Sequence, residues 1–282
     1  MGPRFVHRTP HGLVFEIDPA DAVCREIYLK GLYDSTFLEW TVGVPDRRGG
    51  CLDIGANIGS HCLFLARTFT PVYAFEPNPT AYVRLVRNVR LNPGLDVRCL
   101  PIALSDSPDE ALFYDIRSGH SGLSGFAENL GHLDRSRYDV RELRLRRLTG
   151  DTIVEREGIG AIALIKIDTE GHEARVIRGL AATIRRERPV IVFEWHRHLQ
   201  PSEPLDAMRD LLDGYGLYEL NPRRAPRHRS SLGRVVNRLR VGYESRLVPI
   251  GAGTQRTRDN IVAIHETDMR RVGVDWIKAT IA

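Results

Sequence analysis

The chain has 282 residues, enough for one α/β domain with added segments, and its 42% hydrophobic and 27% charged content is that of an ordinary globular protein. This excludes fibrous, collagen-like and wholly disordered chains, and no uncharged apolar run reaches the roughly 20 residues of a membrane span. The formal net charge of +4 arises from arginines crowded at 135–147 and 223–258, without the aromatic interleaving of an RNA-binding face, so no nucleic-acid partner is expected.

Residues 1–48 read as an N-terminal cap and 49–282 as the main domain. The N-terminus lacks the apolar core of a secretory signal, and the four scattered cysteines form no C-x-x-C pair. Buried thiols in a reducing compartment are expected, which makes the cytoplasm the default location. Leu13–Ile17 alternates like a short strand, and Ala22 to Trp40 predicts a mainly helical stretch capped by Asp18 or Asp21. Cys51–Ile54 is a strand, His61–Phe69 an apolar helix, Val72–Phe75 a second strand, Thr80–Asn92 an amphipathic helix and Val97–Leu104 a third strand. This alternation means βαβ units and a parallel sheet. Residues 110–148 predict a rim insertion, with strands at Ala111–Ile116 and Glu142–Leu148 around a Gly/Ser-rich loop. Ala161–Ile167 is apolar throughout, as a central strand buried on both faces should be. A helix at Glu173–Arg185, a strand at Pro189–Phe193, a helix at Leu205–Asp213 and strands at Gly216–Leu220 and Asn260–His265 complete the pattern. Between the last two, residues 221–259 are basic and glycine-rich, a loop or lid.

Candidate chemistry gathers at the strand ends. Asp53-Ile54-Gly55-Ala56-Asn57-Ile58-Gly59 turns a strand sharply into a helix, with glycines where positive φ or a close ligand approach is needed. It lacks the dinucleotide pattern G-x-G-x-x-G, and an acid at its first position repels a pyrophosphate but suits a cationic sulfonium or amino-acid ligand. A purely structural βα turn would use the same glycines. Glu76 ends the next strand about twenty residues on, where an acid accepts ribose hydroxyls in dinucleotide folds. The third strand end, around Ala103, would then border an adenine. Lys166-Ile167-Asp168-Thr169-Glu170-Gly171-His172-Glu173 emerges from the most apolar strand at the sheet edge where ligands bind. A dipole-stabilised helix start accounts for its acids but not for a lysine inside an apolar strand. Glu194-Trp195-His196 points into the same crevice.

With these residues placed, the sequence resembles the FkbM family of methyltransferases, through Asp53–Gly59, Phe75–Pro79, Leu164–Glu173 with Val176–Gly179, and Pro189–Glu194. The Gly31-Leu32-Tyr33-Asp34 stretch is also similar, and the resemblance runs from about Val14 to His265. It implies the class I Rossmann-like methyltransferase fold, a seven-stranded, mostly parallel sheet whose last strand is antiparallel, with helices on both faces. It also implies S-adenosyl-L-methionine as donor and a hydroxyl of a sugar, glycolipid or polyketide-type natural product as acceptor. Asp53, Gly55, Ala56, Asn57, Gly59, Glu76, Asn78 and Ala103 are then the expected cofactor-binding residues. His172, where the family more usually has a small residue, and the long basic segment depart from its pattern.

An acceptor hydroxyl needs a general base, and Asp168, Glu170, His172, Glu194 and His196 are the candidate catalytic residues, with Asp168 first by position. Asp168 and Glu194 could instead share a divalent metal such as magnesium, to which the sequence does not commit. The expected partner is a small-molecule or glycoconjugate acceptor, and a homo-oligomer is compatible with the chain. A nucleotide-dependent oxidoreductase or epimerase would use the same fold, but its glycine pattern and Tyr-x-x-x-Lys pair are missing. A non-catalytic basic binding module is the third reading.

Overall fold

In the computed structural model the described residues are 3–42, 49–117, 119, 121–131, 133–196, 199, 204–222, 245–253 and 258–268. Eight strands form the main sheet: β3 (Gly50–Ile54), β4 (Val72–Phe75), β5 (Val97–Leu100), β10 (Ile162–Ile167), β11 (Val190–Trp195), β12 (Tyr215–Pro222), β13 (Ser245–Pro249) and β14 (Arg258–His265). Their order is β13-β12-β14-β11-β10-β3-β4-β5. The run from β5 through β11 is parallel, whereas β14 pairs antiparallel with both β11 and β12. The expected antiparallel last strand is therefore present, but the strand count differs. β13, within the segment read as a loop or lid, adds an eighth strand antiparallel to β12. Residues 223–244 and 254–257 of that segment lie outside the described residues.

The pleat sends alternate side chains to opposite faces. Cys51, Ala74, Leu164, Val192 and Val262 face α1 (Ala22–Lys30), α2 (Ser35–Val42), α3 (Cys62–Leu65) and α4 (Pro79–Arg90). Leu52, Phe75, Ile165, Phe193 and Ile261 face α5 (Gly150–Arg156), α6 (Glu173–Gly179), α7 (Ala181–Glu187) and α8 (Leu205–Leu211). The N-terminal segment pairs β1 (Phe5–Arg8) with β2 (Val14–Ile17), and its Phe15, Ile17 and Ile27 join the first of these cores. Asp21 caps α1 by accepting the Cys24 amide at 3.0 Å. The helical stretch expected over 22–40 divides because Gly31 adopts a left-handed φ of 84° and Asp34 one of 49°.

Two further expectations change. Val97–Leu104 is two strands, because Pro101 brings no N–H to a ladder and the chain leaves the main sheet there. Its second part, β6 (Ala103–Ser105), joins β7 (Asp109–Ile116), β8 (Gly125–Phe126) and β9 (Val140–Thr149) in a separate four-stranded sheet of order β6-β9-β7-β8. The rim insertion is thus a sheet anchored at both ends. The helix expected over 173–185 is broken at Leu180, which caps both α6 and α7. No helix among the described residues is long and apolar enough to cross a membrane.

Candidate functional site

The bend after β3 is built by three backbone ties. The Gly55 and Ala56 amides both donate to the Phe75 carbonyl at 2.9 Å, and the Asp168 amide donates to the Ile54 carbonyl at 2.9 Å. Gly55 has φ 85°, and a Cβ there would strike the Asp168 carbonyl. The glycine expected to admit a ligand is thus required by the backbone of the neighbouring loop. Asn57 takes a left-handed φ of 49°, which aims its amide at Glu76. Glu76 Oε2 accepts that amide at 2.7 Å and Oε1 accepts the Asn78 amide at 2.8 Å. The acid at the end of β4 therefore clamps both loops, with lone pairs left on each oxygen for a ligand. Burial pushes Glu76 up to about 7, against the pull of its two amide donors. The Asn78 side chain in turn caps α4 at the Thr80 amide and donates to Asp115 of the second sheet.

These residues open on a cleft of about 610 Å³ at the carboxyl edge of the sheet. Gly55, Asn57, Glu76, Asn78, Ala103, Asp168, Glu170 and His172 line it, whereas Asp53, Ala56, Gly59, Glu194 and His196 do not. Its apolar end is made by Ile102, Leu104, Phe113 and Phe126, the two phenyl rings meeting edge-to-face at 5.3 Å. His172 closes this end. Its Nε2 lies 3.0 Å from Ser105 Oγ, its Nδ1 3.5 Å from Asn129 Nδ2, and its ring 4.9 Å from that of Phe126. Burial, then the Arg147 and Arg175 cations, hold its pKa down to about 3, so the imidazole is neutral. The two phenyl rings and Asn129 were invisible to strand-end logic, because they come from the rim sheet and its loops, whereas Ser105 lies in the third strand end expected to border the adenine.

The other end is charged. Asp53 and Lys166 are register partners on β3 and β10, and Glu194 sits between Phe193 and Trp195. Since the residues flanking each of the three face α5–α8, the pleat turns Asp53, Lys166 and Glu194 together to the side of α1–α4. Lys166 Nζ bonds Asp168 Oδ2 at 3.0 Å. Burial opposes its charge, but Asp168, Asp53 and Glu194 outweigh this and raise its pKa. The lysine that stood out in an apolar strand is thus the cation of an acidic cluster. Neither carboxylate oxygen of the fully buried Asp53 has a hydrogen-bond partner among the described residues. Burial lifts Asp53 to about 6 despite Lys166. Glu194 rises to about 7 through burial and the nearby Asp168, and its Oε2 lies 3.2 Å from His196 Nε2. Glu170, at a left-handed φ of 52°, is raised well above the carboxylate range by burial and then by Asp168 and Glu194. Glu173, which carried no expected role, accepts the Thr169 amide and hydroxyl and the Gly171 amide, bracing the loop that presents Asp168 and Glu170. Among the described residues no three His, Cys, Asp or Glu side chains are grouped to hold a metal ion.

Asp53, Glu76, Asp168, Glu170 and Glu194 thus converge on one edge with Lys166 as the cation among them. Such a field favours a positively charged ligand, which would return the raised carboxyls to their ionised form.

The family described as the methyltransferase FkbM domain matches residues 53–221. The hexuronic acid methyltransferase AglP of Haloferax volcanii is 30% identical over 151 residues, 54% of this chain and 57% of its own. The 31-O-demethyl-FK506 methyltransferase FkbM of Streptomyces tacrolimicus is 31% identical over 163 residues, 49% of this chain and 62% of its own. The chain therefore spans less than two thirds of the length of these relatives. A crystal structure of methyltransferase FkbM from Methylobacillus flagellatus aligns over 83% of this chain and 48% of that one, at 14% identity and a TM-score of 0.47. With the domain match extending from the carboxylate-tipped bend of β3 to the end of β12, the chain belongs to the FkbM methyltransferase family.

Proposed function

We propose that the chain is an S-adenosyl-L-methionine-dependent O-methyltransferase whose acceptor is a hydroxyl of a sugar, glycolipid or polyketide-type molecule. The observation that carries this reading is the acidic cleft, lined by the Glu76 carboxylate that clamps the bend and by Asp168 and Glu170, with the Asp53 carboxylate buried in the strand that leads into the bend. A sulfonium with an amino-acid ammonium matches that field, whereas the pyrophosphate of a dinucleotide opposes it. Glu76 would hold the ribose hydroxyls, Ile102–Leu104 with Phe113 and Phe126 the adenine, and the acids beside Gly55 the amino-acid end.

S-adenosyl-L-methionine, when bound, supplies an electrophilic methyl group. The chain's part is to bring a hydroxyl to it and take its proton, because an alcohol is a weak nucleophile. Asp168 is placed for the proton: it lines the cleft, and Lys166 fixes its carboxylate. Glu194, poised near neutrality and joined to His196, is placed to relay that proton away from the cleft. His172 is assigned to positioning rather than to base chemistry, since it is buried with both ring nitrogens engaged. AglP and FkbM act, by their names, on a hexuronic acid and on 31-O-demethyl-FK506; the first supports a sugar-type acceptor here and the second an oxygen acceptor.

Calorimetry with S-adenosylhomocysteine and with NAD tests the cofactor assignment: the former should bind and the latter should not, and the reverse result overturns it. Asp168→Asn should retain S-adenosylhomocysteine binding while lowering methyl transfer by about 10²–10⁴-fold, the usual share of a general base. Full turnover in that variant would remove Asp168 from the base role.

A further inference from the structure

Beside the acidic cluster lies a segment that no strand end supplies. Tyr33 and Asp34 lie in the link between α1 and α2, and Asp34 fastens that link to the sheet where the carboxyl end of β11 meets the amino end of β14. Asp34 Oδ2 accepts the Asn260 side-chain amide at 3.0 Å, a bond spanning 226 residues. Asn260 precedes Ile261, which pairs with Phe193, so the bond fixes Asp34 beside Glu194. His61 completes the anchor. Its Nε2 lies 3.9 Å from Asp34 Oδ2, and its ring meets those of Tyr33 and Phe37 edge-on at 5.6 and 5.7 Å. His61 is buried and held neutral, first by burial and then by Lys166. Tyr33 is half-buried, and its phenol donates no hydrogen bond among the described residues. Burial, followed by the Asp168 and Glu194 carboxylates, raises its pKa, so the phenol keeps its proton.

We propose that Tyr33 is an acceptor-binding residue, held in place by the Asp34–Asn260 bond, and that a neutral ring bearing neighbouring hydroxyls sits between its phenol and the Asp168 and Glu194 carboxylates. This rests on the methyltransferase reading above and goes further by assigning the acceptor's charge class. A carboxylate accepts two hydroxyls of a diol at once, and a phenol donates to a third oxygen while its ring covers an apolar sugar face. An acidic acceptor would bring a further negative charge among Asp34, Asp168, Glu170 and Glu194, where Asp34, Glu170 and Glu194 already have raised pKa values because the surroundings disfavour that charge, and Lys166 is already bound to Asp168.

The test uses the full chain loaded with S-adenosylhomocysteine, whose binding is first established by calorimetry. If the wild-type chain does not bind it, the methyltransferase reading fails before the acceptor question is put. Saturation-transfer NMR then compares methyl α-D-glucopyranoside with the corresponding uronate. The neutral sugar should give transfer and the uronate markedly less. Tyr33→Phe, which keeps the ring on His61, should weaken the pyranoside about 5–10-fold, the loss of one hydrogen bond. Tyr33→Ala should abolish transfer; both variants should bind S-adenosylhomocysteine, Tyr33→Phe should melt as the wild type does, and Tyr33→Ala should melt somewhat lower through the lost ring packing on His61. Absence of transfer to the neutral sugar, preference for the uronate, or wild-type sugar affinity in both variants overturns the proposal. Asn260→Ala gives an independent arm: sugar affinity should fall with cofactor affinity intact, and unchanged sugar affinity removes the anchoring role.

Discussion

Glu76 illustrates how a single side chain serves two purposes at once. Its two oxygens tie the Asn57 and Asn78 amides, so the carboxylate both shapes the bend and faces the cleft. Hydrogen bonds to a charged group are worth about 1.5–3 kcal/mol, so Glu76→Ala should weaken S-adenosylmethionine binding by about 10–100-fold in calorimetry. Unchanged affinity would take it out of the ribose site. Glu76→Gln should fall in between, because one of its two ends can no longer accept an amide. At this scale much of the site was legible. An acid at a strand tip or a lysine in an apolar strand violates local expectation, and Asp53, Glu76, Lys166 and Asp168 were visible for that reason. His172 was visible as a neutral imidazole beside the acids, but its burial was not, because the rim sheet folds over it and supplies Ser105, Asn129 and Phe126.

Elements are fixed by contacts that periodicity does not record. α6 ends at Gly179, and a Cβ there would overlap the Ser105 carbonyl. Ser105 holds His172, so this close approach links the helix to the floor of the cleft. Gly179→Ala would gain up to about 1 kcal/mol of helix propensity but incur about 1–3 kcal/mol of overpacking against a backbone atom. Strain should win, and melting should shift downward; a higher Tm would show that Ser105 can yield. The same kind of contact explains the elements misread from sequence. Val97–Leu104 has the apolar character of one strand, yet Pro101 and the pull of β9 divide it between two sheets. Residues 245–249 alternate too briefly within a basic tract to announce β13, which exists by pairing with β12. By contrast β3, β4 and β10 fell within a residue of expectation, since strands buried on both faces write continuous apolar runs.

For the whole molecule, the concentration of acids at one sheet edge makes stability depend on pH. Asp53 is lifted to about 6 and Glu76 and Glu194 to about 7, each above its unfolded value near 4. The folded chain therefore holds protons that the unfolded chain releases, so this contribution is complete below about pH 4 and is lost as pH rises through 6 and 7. The ligand-free protein should melt at a lower temperature at pH 8 than at pH 5.5. A cationic donor prefers the ionised acids, so the stabilisation by S-adenosylmethionine should grow over the same interval. His61 and His172, held neutral by burial, act oppositely in the lower part of this window, where their unfolded forms take up protons at about pH 6.5, but the three raised acids, joined by Asp34, Glu170 and Glu173, outnumber them. Asp109, held below the carboxylate range by hydrogen bonding to Arg147, acts oppositely only under more acidic conditions. A flat or inverted melting profile between pH 5.5 and 8 would contradict the raised acids. The strand order carries a further consequence for how the chain comes together. β14, late in the sequence, is wedged between β11 and β12, which precede it by dozens of residues. Until residues 258–265 thread into that gap, β12 and β13 have no seat on the central sheet, and Asn260 cannot latch Asp34. A nascent chain halted before residue 258 would thus carry every acid of the cluster yet lack the fastening for its acceptor wall, so competence would arrive only with the final stroke of assembly.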